Sequence, residues 1–286
     1  MPAQEGLDTV RQLIGEGRSL LRERSRHSAA PPPSGRGLVL DVGGGDRPHP
    51  RADLVVDKYV TDNFERERDL AFTKPLVVAD GEELPLADGS FAYLIASHVL
   101  EHAIDPNRMA GEFCRVAEAG FVQLPTAFSE RHFGWPFHPW LVDREGDMLV
   151  FRPKISHEES NEGLHEAYSE SLLFRLAWAA HRSRWHHSVH WRGHLDVRAP
   201  KLEKQEHERS SIELERTLSV LEKMGRSGSV VRLDQRMQAL LRCPSAECRG
   251  KIVLASDEAV CQGCATRFPA PGGVPVLLRE AGSPAR

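Results

Sequence analysis

Leu38-Val39-Leu40-Asp41-Val42-Gly43-Gly44-Gly45-Asp46 decides the fold. An apolar run of this length, interrupted by one carboxylate and closed by glycines, reads as a central strand of a parallel sheet. Glycines at its end let the backbone approach a ligand that a Cβ would block. Backbone N–H groups in such a turn, or at a following helix start, suit an anionic or nucleotide-type ligand.

The same grammar recurs downstream. Leu54-Val55-Val56-Asp57 is a second apolar run ending in an acid, and an acid there can accept hydrogen bonds from both hydroxyls of a ribose. Between the two runs Pro48 and Pro50 break any helix, so the first crossover is expected to be short and irregular. Leu76-Val77-Val78-Ala79 precedes Asp80-Gly81, and Phe91 to Ala96 runs into Ser97-His98-Val99-Leu100-Glu101-His102. Asp105-Pro106 opens a helix predicted over about 107–118, and Phe121 to Leu124 makes a fifth strand. Strands alternating with crossovers predict an α/β fold with a Rossmann-like, mostly parallel sheet. Further on, 138–142 and 148–151 read as a hairpin, 168–180 as a helix, and 185–191 with 195–197 as an antiparallel C-terminal strand pair about Gly193.

The dinucleotide pattern Gly-x-Gly-x-x-Gly is not met, because Pro48 stands in its last position. The set of Leu40-Asp41-Val42-Gly43-Gly44-Gly45, Asp57, Asp80-Gly81, Ser97 to His102 and Asp105-Pro106 instead resembles the class I S-adenosylmethionine (SAM)-dependent methyltransferases, over roughly 35–200. The resemblance implies SAM as cofactor. It places Asp41, Gly43 and Gly45 at the amino-acid end, Asp57 on the ribose, Asp80 and Gly81 at the adenine, and Ser97 and His98 beside the sulfonium. It departs at Asp46-Arg47-Pro48, where Arg47 offers a guanidinium to the SAM carboxylate.

Methyl transfer to a hydroxyl gains from a base whose pKa lies near the working pH. His98, His102 and His138 are the candidate catalytic residues, with His132 beside them. Glu101 and His102 read equally well as a helix-start cap. Phe133-Gly134-Trp135-Pro136-Phe137-His138-Pro139-Trp140 reads either as an acceptor wall or as local core. The segment is also similar to bacterial methyltransferases of glycan and secondary-metabolite pathways, which implies O-methylation of a sugar-containing or other small acceptor. His181, His186, His187, His190 and His194 come without a supporting carboxylate pattern and are read as structural.

Cys243, Cys248, Cys261 and Cys264 form two close pairs separated by a hairpin-length segment. That spacing predicts a tetrahedral, structural zinc (Zn2+) site in a module too small to hold itself without metal. Residues 239–280 resemble the zinc ribbons that activate tRNA and release-factor methyltransferases. The resemblance implies an intramolecular contact between the ribbon and the methyltransferase domain.

The expected organisation is an N-terminal helix and Pro-rich linker (1–34), a methyltransferase domain (35–200), a helical spacer (201–238) and a zinc-ribbon domain (239–286). A net charge of −4 over 286 residues gives no global field for nucleic acid, so a nucleic-acid partner is not expected. No apolar run is long enough to span a bilayer and no secretory signal is visible, so a cytoplasmic location is expected. Two other functions stay open: methylation of a macromolecule with the ribbon as docking platform, and a non-catalytic SAM-binding scaffold.

Overall fold

A computed structural model of the chain describes residues 37–61, 68–154, 162–202 and 210–283. The N-terminal helix expected within 1–34 lies outside them. The central sheet has the order β3-β2-β1-β4-β5-β8, built from β1 (Val39–Val42), β2 (Leu54–Asp57), β3 (Leu76–Val78), β4 (Tyr93–Ser97), β5 (Ala119–Pro125) and β8 (His186–Arg192). Its first five strands are parallel, and β8 pairs antiparallel with β5 through Gly120↔Trp191 and Val122↔Val189. The fold is α/β with a Rossmann-like, mostly parallel sheet, as its sequence pattern predicts. One detail differs. About Gly193 only a single antiparallel bridge joins Arg192 and His194: β8 extends the main sheet, and β9 (Val197–Arg198) runs parallel to β7 (Met148–Pro153). The apolar alternation of β8 suits the flank of β5 better than a two-stranded ribbon, which is marginal alone.

The crossover from β4 to β5 carries a full helix, α1 (Pro106–Val116), started by Asp105, whose carboxylate accepts the Arg108 N–H, with Pro106 in the first turn. A short helix α2 (Ala127–Phe133) follows β5, and the hairpin β6 (Trp140–Glu145) and β7 (Met148–Pro153) comes next. The helix predicted over 168–180 is split at Ser171, which caps α4 (Leu172–Ala180) after α3 (Glu162–Glu170), and a single turn, α5 (Arg182–Trp185), leads into β8. The crossover from β1 to β2 has no helix, in keeping with its two prolines.

A parallel sheet must be covered on both faces. Leu54, Val56 and Val77 point to the main core with Phe113 of α1, while Val55, Leu76 and Val78 point the other way. There they meet Leu221 of a long helix, α6 (Ser210–Arg226), and Val274, Val276 and Leu278 of the C-terminal tail. Thus a helix from late in the chain covers the face that the missing first crossover helix leaves bare. Its contact is close: a Cβ on Gly225 would stand 2.2 Å from the Gly272 Cα. Gly225→Ala should therefore cost roughly 1–3 kcal/mol through overpacking, read as a fall of several degrees in the thermal midpoint. An unchanged midpoint would remove α6 from this account.

The later part of the spacer expected over 201–238 is helical only as one short turn, Gln235–Gln238 (α7), capped by Asp234. The cysteine segment forms a separate three-stranded antiparallel sheet, β10 (Ile252–Leu254), β11 (Glu258–Cys261) and β12 (Arg267–Pro269). Its tail runs along the outer edge of β3, with Val78 donating to Pro275 O at 3.0 Å and Leu277 donating to Val78 O at 2.8 Å. Arg249 reaches Glu112 of α1 at 2.9 Å, and Arg242 donates to Pro85 O at 2.8 Å. The tail thereby satisfies an edge strand that would otherwise expose unpaired backbone groups. Among the described residues no helix is long and apolar enough to cross a membrane.

Candidate functional site

The strand order reverses between β1 and β4, and a ligand crevice is expected at the carboxyl ends of the strands at such a point. The acids and glycines singled out in the sequence sit there. Gly43 leaves β1 with φ +68° and donates to Val56 O at 2.7 Å. A Cβ on it would stand 2.3 Å from Val99 Cγ2, so the turn after β1 can pass the loop after β4 only as glycine. Asp57, at the end of β2, accepts the Gly45 N–H at 3.1 Å and the Tyr59 N–H at 3.1 Å, tying the glycine turn to the second strand.

Asp41 is buried, and its Oδ2 accepts the His49 N–H at 2.7 Å. Burial, reinforced by Asp57, pushes its carboxyl up to about 7 despite that hydrogen bond. Asp80 follows β3 and caps the 3-10 turn Gly81–Glu83 by accepting the Glu82 N–H, while its Oδ2 takes Lys58 Nζ at 2.7 Å. Burial alone would lower the Lys58 ammonium, but Asp80 holds it above the usual range. The Lys58 partnership went unnoticed in the sequence, since a lysine after a strand-end acid carries no signal of its own. Arg47 stands 3.4 Å from its neighbour Asp46.

Ser97 closes β4, its hydroxyl buried and without a hydrogen-bond partner among the described residues. His98 adopts φ +58°, a left-handed conformation that is uncommon outside glycine. Its Nδ1 lies 3.1 Å from Glu101 Oε1, and because a carboxylate only accepts, Nδ1 is the donor and Nε2 carries the lone pair. Burial would raise the fully enclosed Glu101, but the hydrogen bond from His98 and the imidazoles of His98, His102 and His138 hold it at about 2. Glu101 is fully buried, which excludes its reading as a surface helix cap.

His102 and His138 meet edge to face, centroids 4.6 Å apart, and Phe137 stacks on His102. His138 is buried and its Nδ1 lies 2.7 Å from Glu130 Oε2, while Glu130 Oε1 takes Lys154 Nζ at 2.6 Å. Burial lowers the His138 pKa despite Glu130. The Glu130–Lys154 pair was invisible in the sequence, because its members come from α2 and the end of β7 and meet only through tertiary packing. His186 of β8 faces His98, ring centroids 5.1 Å apart, and burial above all drops its pKa to about 3. His132 points elsewhere: it is exposed on α2 and its Nδ1 donates to Phe128 O at 2.7 Å. The aromatic segment divides. Phe133 and Trp140 are core, with Trp140 Nε1 donating to Ala103 O, while Trp135 and Phe137 are half-buried beside the histidines.

Residues 51–121, which include Asp57, Asp80, Ser97 and His98, match the family model described as a methyltransferase domain. That stretch is similar to a methyltransferase domain. No curated protein matches the sequence. Among solved structures, a SAM-dependent methyltransferase from Thermotoga maritima is 19% identical, with a TM-score of 0.26, over 32% of this chain and 45% of that one. One from Mesorhizobium loti is 14% identical, with a TM-score of 0.31, over 56% of this chain and 93% of that one. The chain thus spans less than half of the Thermotoga protein.

Away from this crevice, Cys243, Cys248, Cys261 and Cys264 place their sulfurs within 4.8 Å of one another. Sγ–Sγ distances of 3.8 Å (Cys243–Cys264) and 3.5 Å (Cys248–Cys261) come close to the roughly 3.8 Å between thiolates on one tetrahedral zinc. The Gly250 and Gly263 N–H groups point at Cys248 and Cys261 sulfurs at 3.4 and 3.3 Å. Donors so placed stabilise thiolates, so the residues fit a structural zinc ion.

Proposed function

We propose that the protein transfers the methyl group of SAM to a hydroxyl of a sugar-containing or other small acceptor. What carries this reading is the gathering of Asp57, Asp80, Ser97 and the Gly43 turn at one end of the sheet, beside the His98–Glu101 pair. Asp57 would hold the ribose, Asp80 and Gly81 the adenine, Asp41, Gly43 and Gly45 the amino-acid end. His98 would act as general base: Glu101 fixes its tautomer and leaves Nε2 for the acceptor proton. Proximity to the sulfonium would supply much of the rate. Phe137 and Trp135 would wall the acceptor. The cysteine module would be a zinc ribbon anchored on the domain, with the unit boundaries near 34, 200 and 238.

The test is transfer of labelled methyl from SAM to a panel of hydroxylated sugar-containing compounds, with tRNA and protein as parallel acceptors. Labelling of tRNA or protein alone would favour the macromolecular reading. No heat on titrating SAM by calorimetry would leave the non-catalytic scaffold.

The Asp41 carboxyl gives this reading a pH signature. An ammonium arriving beside it favours the ionised form, so SAM binding would release a proton below about pH 7, where Asp41 is otherwise neutral. Affinity should weaken by up to about tenfold for each pH unit below that value and be flat above it. The same raised pKa costs stability as pH rises from the unfolded value of 3.8 towards 7. In Asp41→Asn both slopes should vanish. A pH-independent SAM affinity in the natural protein would separate Asp41 from the ligand.

A further inference from the structure

We propose that Glu101, His102 and His138 form a binding site for a divalent first-row transition-metal ion. Each offers a ligand atom, and these atoms lie within 4.8 Å of one another. Two imidazoles and one carboxylate suit zinc or ferrous ion, and a triad of protein ligands leaves coordination positions open.

Two further observations point to a ligand. Glu101 is fully buried, and its Oε1 is engaged by His98, yet Oε2 has no hydrogen-bond partner among the described residues. A buried carboxylate oxygen left so is costly, and a bound cation removes the cost. His138 in turn is prepared as metal-ligating histidines are. Its Nδ1–H is given to the buried Glu130 carboxylate, leaving Nε2 as the ring's lone-pair donor. Glu130 is itself balanced by Lys154, whose ammonium also donates to Trp135 O at 2.8 Å. Such a carboxylate–histidine arrangement fixes ring orientation and tautomer before a metal arrives. Phe137, stacked on His102, limits that ring's freedom as well.

The site stands on these contacts and not on methyl transfer. An additional role does rest on the proposed function: an open coordination position would seat an acceptor oxygen near His98.

The full-length chain, its cysteine module filled with zinc, is titrated with Co2+. Nitrogen and oxygen ligands give visible d–d bands without sulfur-to-metal charge transfer, so the site is read apart from the cysteines. The natural protein should bind one equivalent with such a spectrum. His102→Asn and His138→Gln should each abolish it, and Glu130→Gln, a positioning change, should weaken it about tenfold to a hundredfold. SAM calorimetry on the same samples reports the methyltransferase reading independently, since loss of one signal leaves the other intact. The proposal is overturned if the natural protein shows no such spectrum. It is equally overturned if His102→Asn binds cobalt as the natural protein does. His102 is only half-buried, so that variant remains informative should His138→Gln fail to fold.

Discussion

Replacing Cys261 by serine is expected to release zinc from the chain and to lower the thermal midpoint of the whole protein. Cys261 is buried and its sulfur is shared with Cys248, Gly263 and Cys264 through short contacts. Structural zinc sites contribute roughly 10–16 kcal/mol of binding free energy to small domains, far more than a few short strands gain from their own core. Loss of the ion would free the tail that pairs with Val78 and buries Val276 and Leu277. Those apolar side chains are each worth about 1.5–3 kcal/mol when fully covered, so the damage should spread to the β3 edge of the sheet. Zinc content by elemental analysis and melting with and without a chelator would check both halves. Unchanged metal content would refute the zinc site. Lost zinc with an unchanged midpoint would confine the metal's role to the module.

The second large effect is at Asp57. Hydrogen bonds to a charged group contribute about 1.5–3 kcal/mol each, and a ribose offers two hydroxyls. Asp57→Ala would also untie the Gly45 turn, which the same carboxylate holds. A fall in SAM affinity of about a hundredfold or more is expected, equivalent to roughly 3 kcal/mol. Asp57→Asn keeps the shape and part of the hydrogen bonding, so it should fall between. Calorimetry with SAM measures the series. An Asp57→Ala protein that binds SAM as tightly as the parent would remove the ribose contact, and with it the main support for the proposed orientation.

The two variants act on different parts of the fold, and their separation is itself informative. Asp57 ties β1 to β2 inside the sheet, whereas the cysteines act on its β3 edge. Loss of SAM binding in Cys261→Ser without unfolding would mean that the tail positions Asp80, which follows β3 directly. Arg279 strengthens that route, since it contacts Glu83 in the turn that Asp80 caps.

The strands and the acids at their tips could be read from the chain because each is a local signal. An apolar run closed by Asp or Gly needs no partner to be recognised, and Gly43, Asp57 and Asp80 each end one. The prolines at 48 and 50 likewise announced a crossover without a helix. The cysteine cluster was legible for a similar reason, since two short spacings suffice to bring four sulfurs together. The split of 168–180 at Ser171 was missed because apolar content alone does not reveal where a serine caps a new helix.

What surrounds His98 and His138 was decided only by packing. Glu101 reads in sequence as well for a surface cap as for a site residue, and it is the turn after β4 that carries it inside, beside three imidazoles. Glu130 and Lys154 have no common motif and are joined because α2 and the β6–β7 hairpin fold over the same histidine. The cover over β2 and β3 is also a tertiary result: Leu221 and Val276 come from late in the chain to a face that local sequence leaves bare. Sequence by itself determined which strands form and which residues end them, since backbone conformation and apolar runs act over a few residues. Tertiary structure alone decided which charges are buried together, because desolvation depends on neighbours that the chain brings from far away.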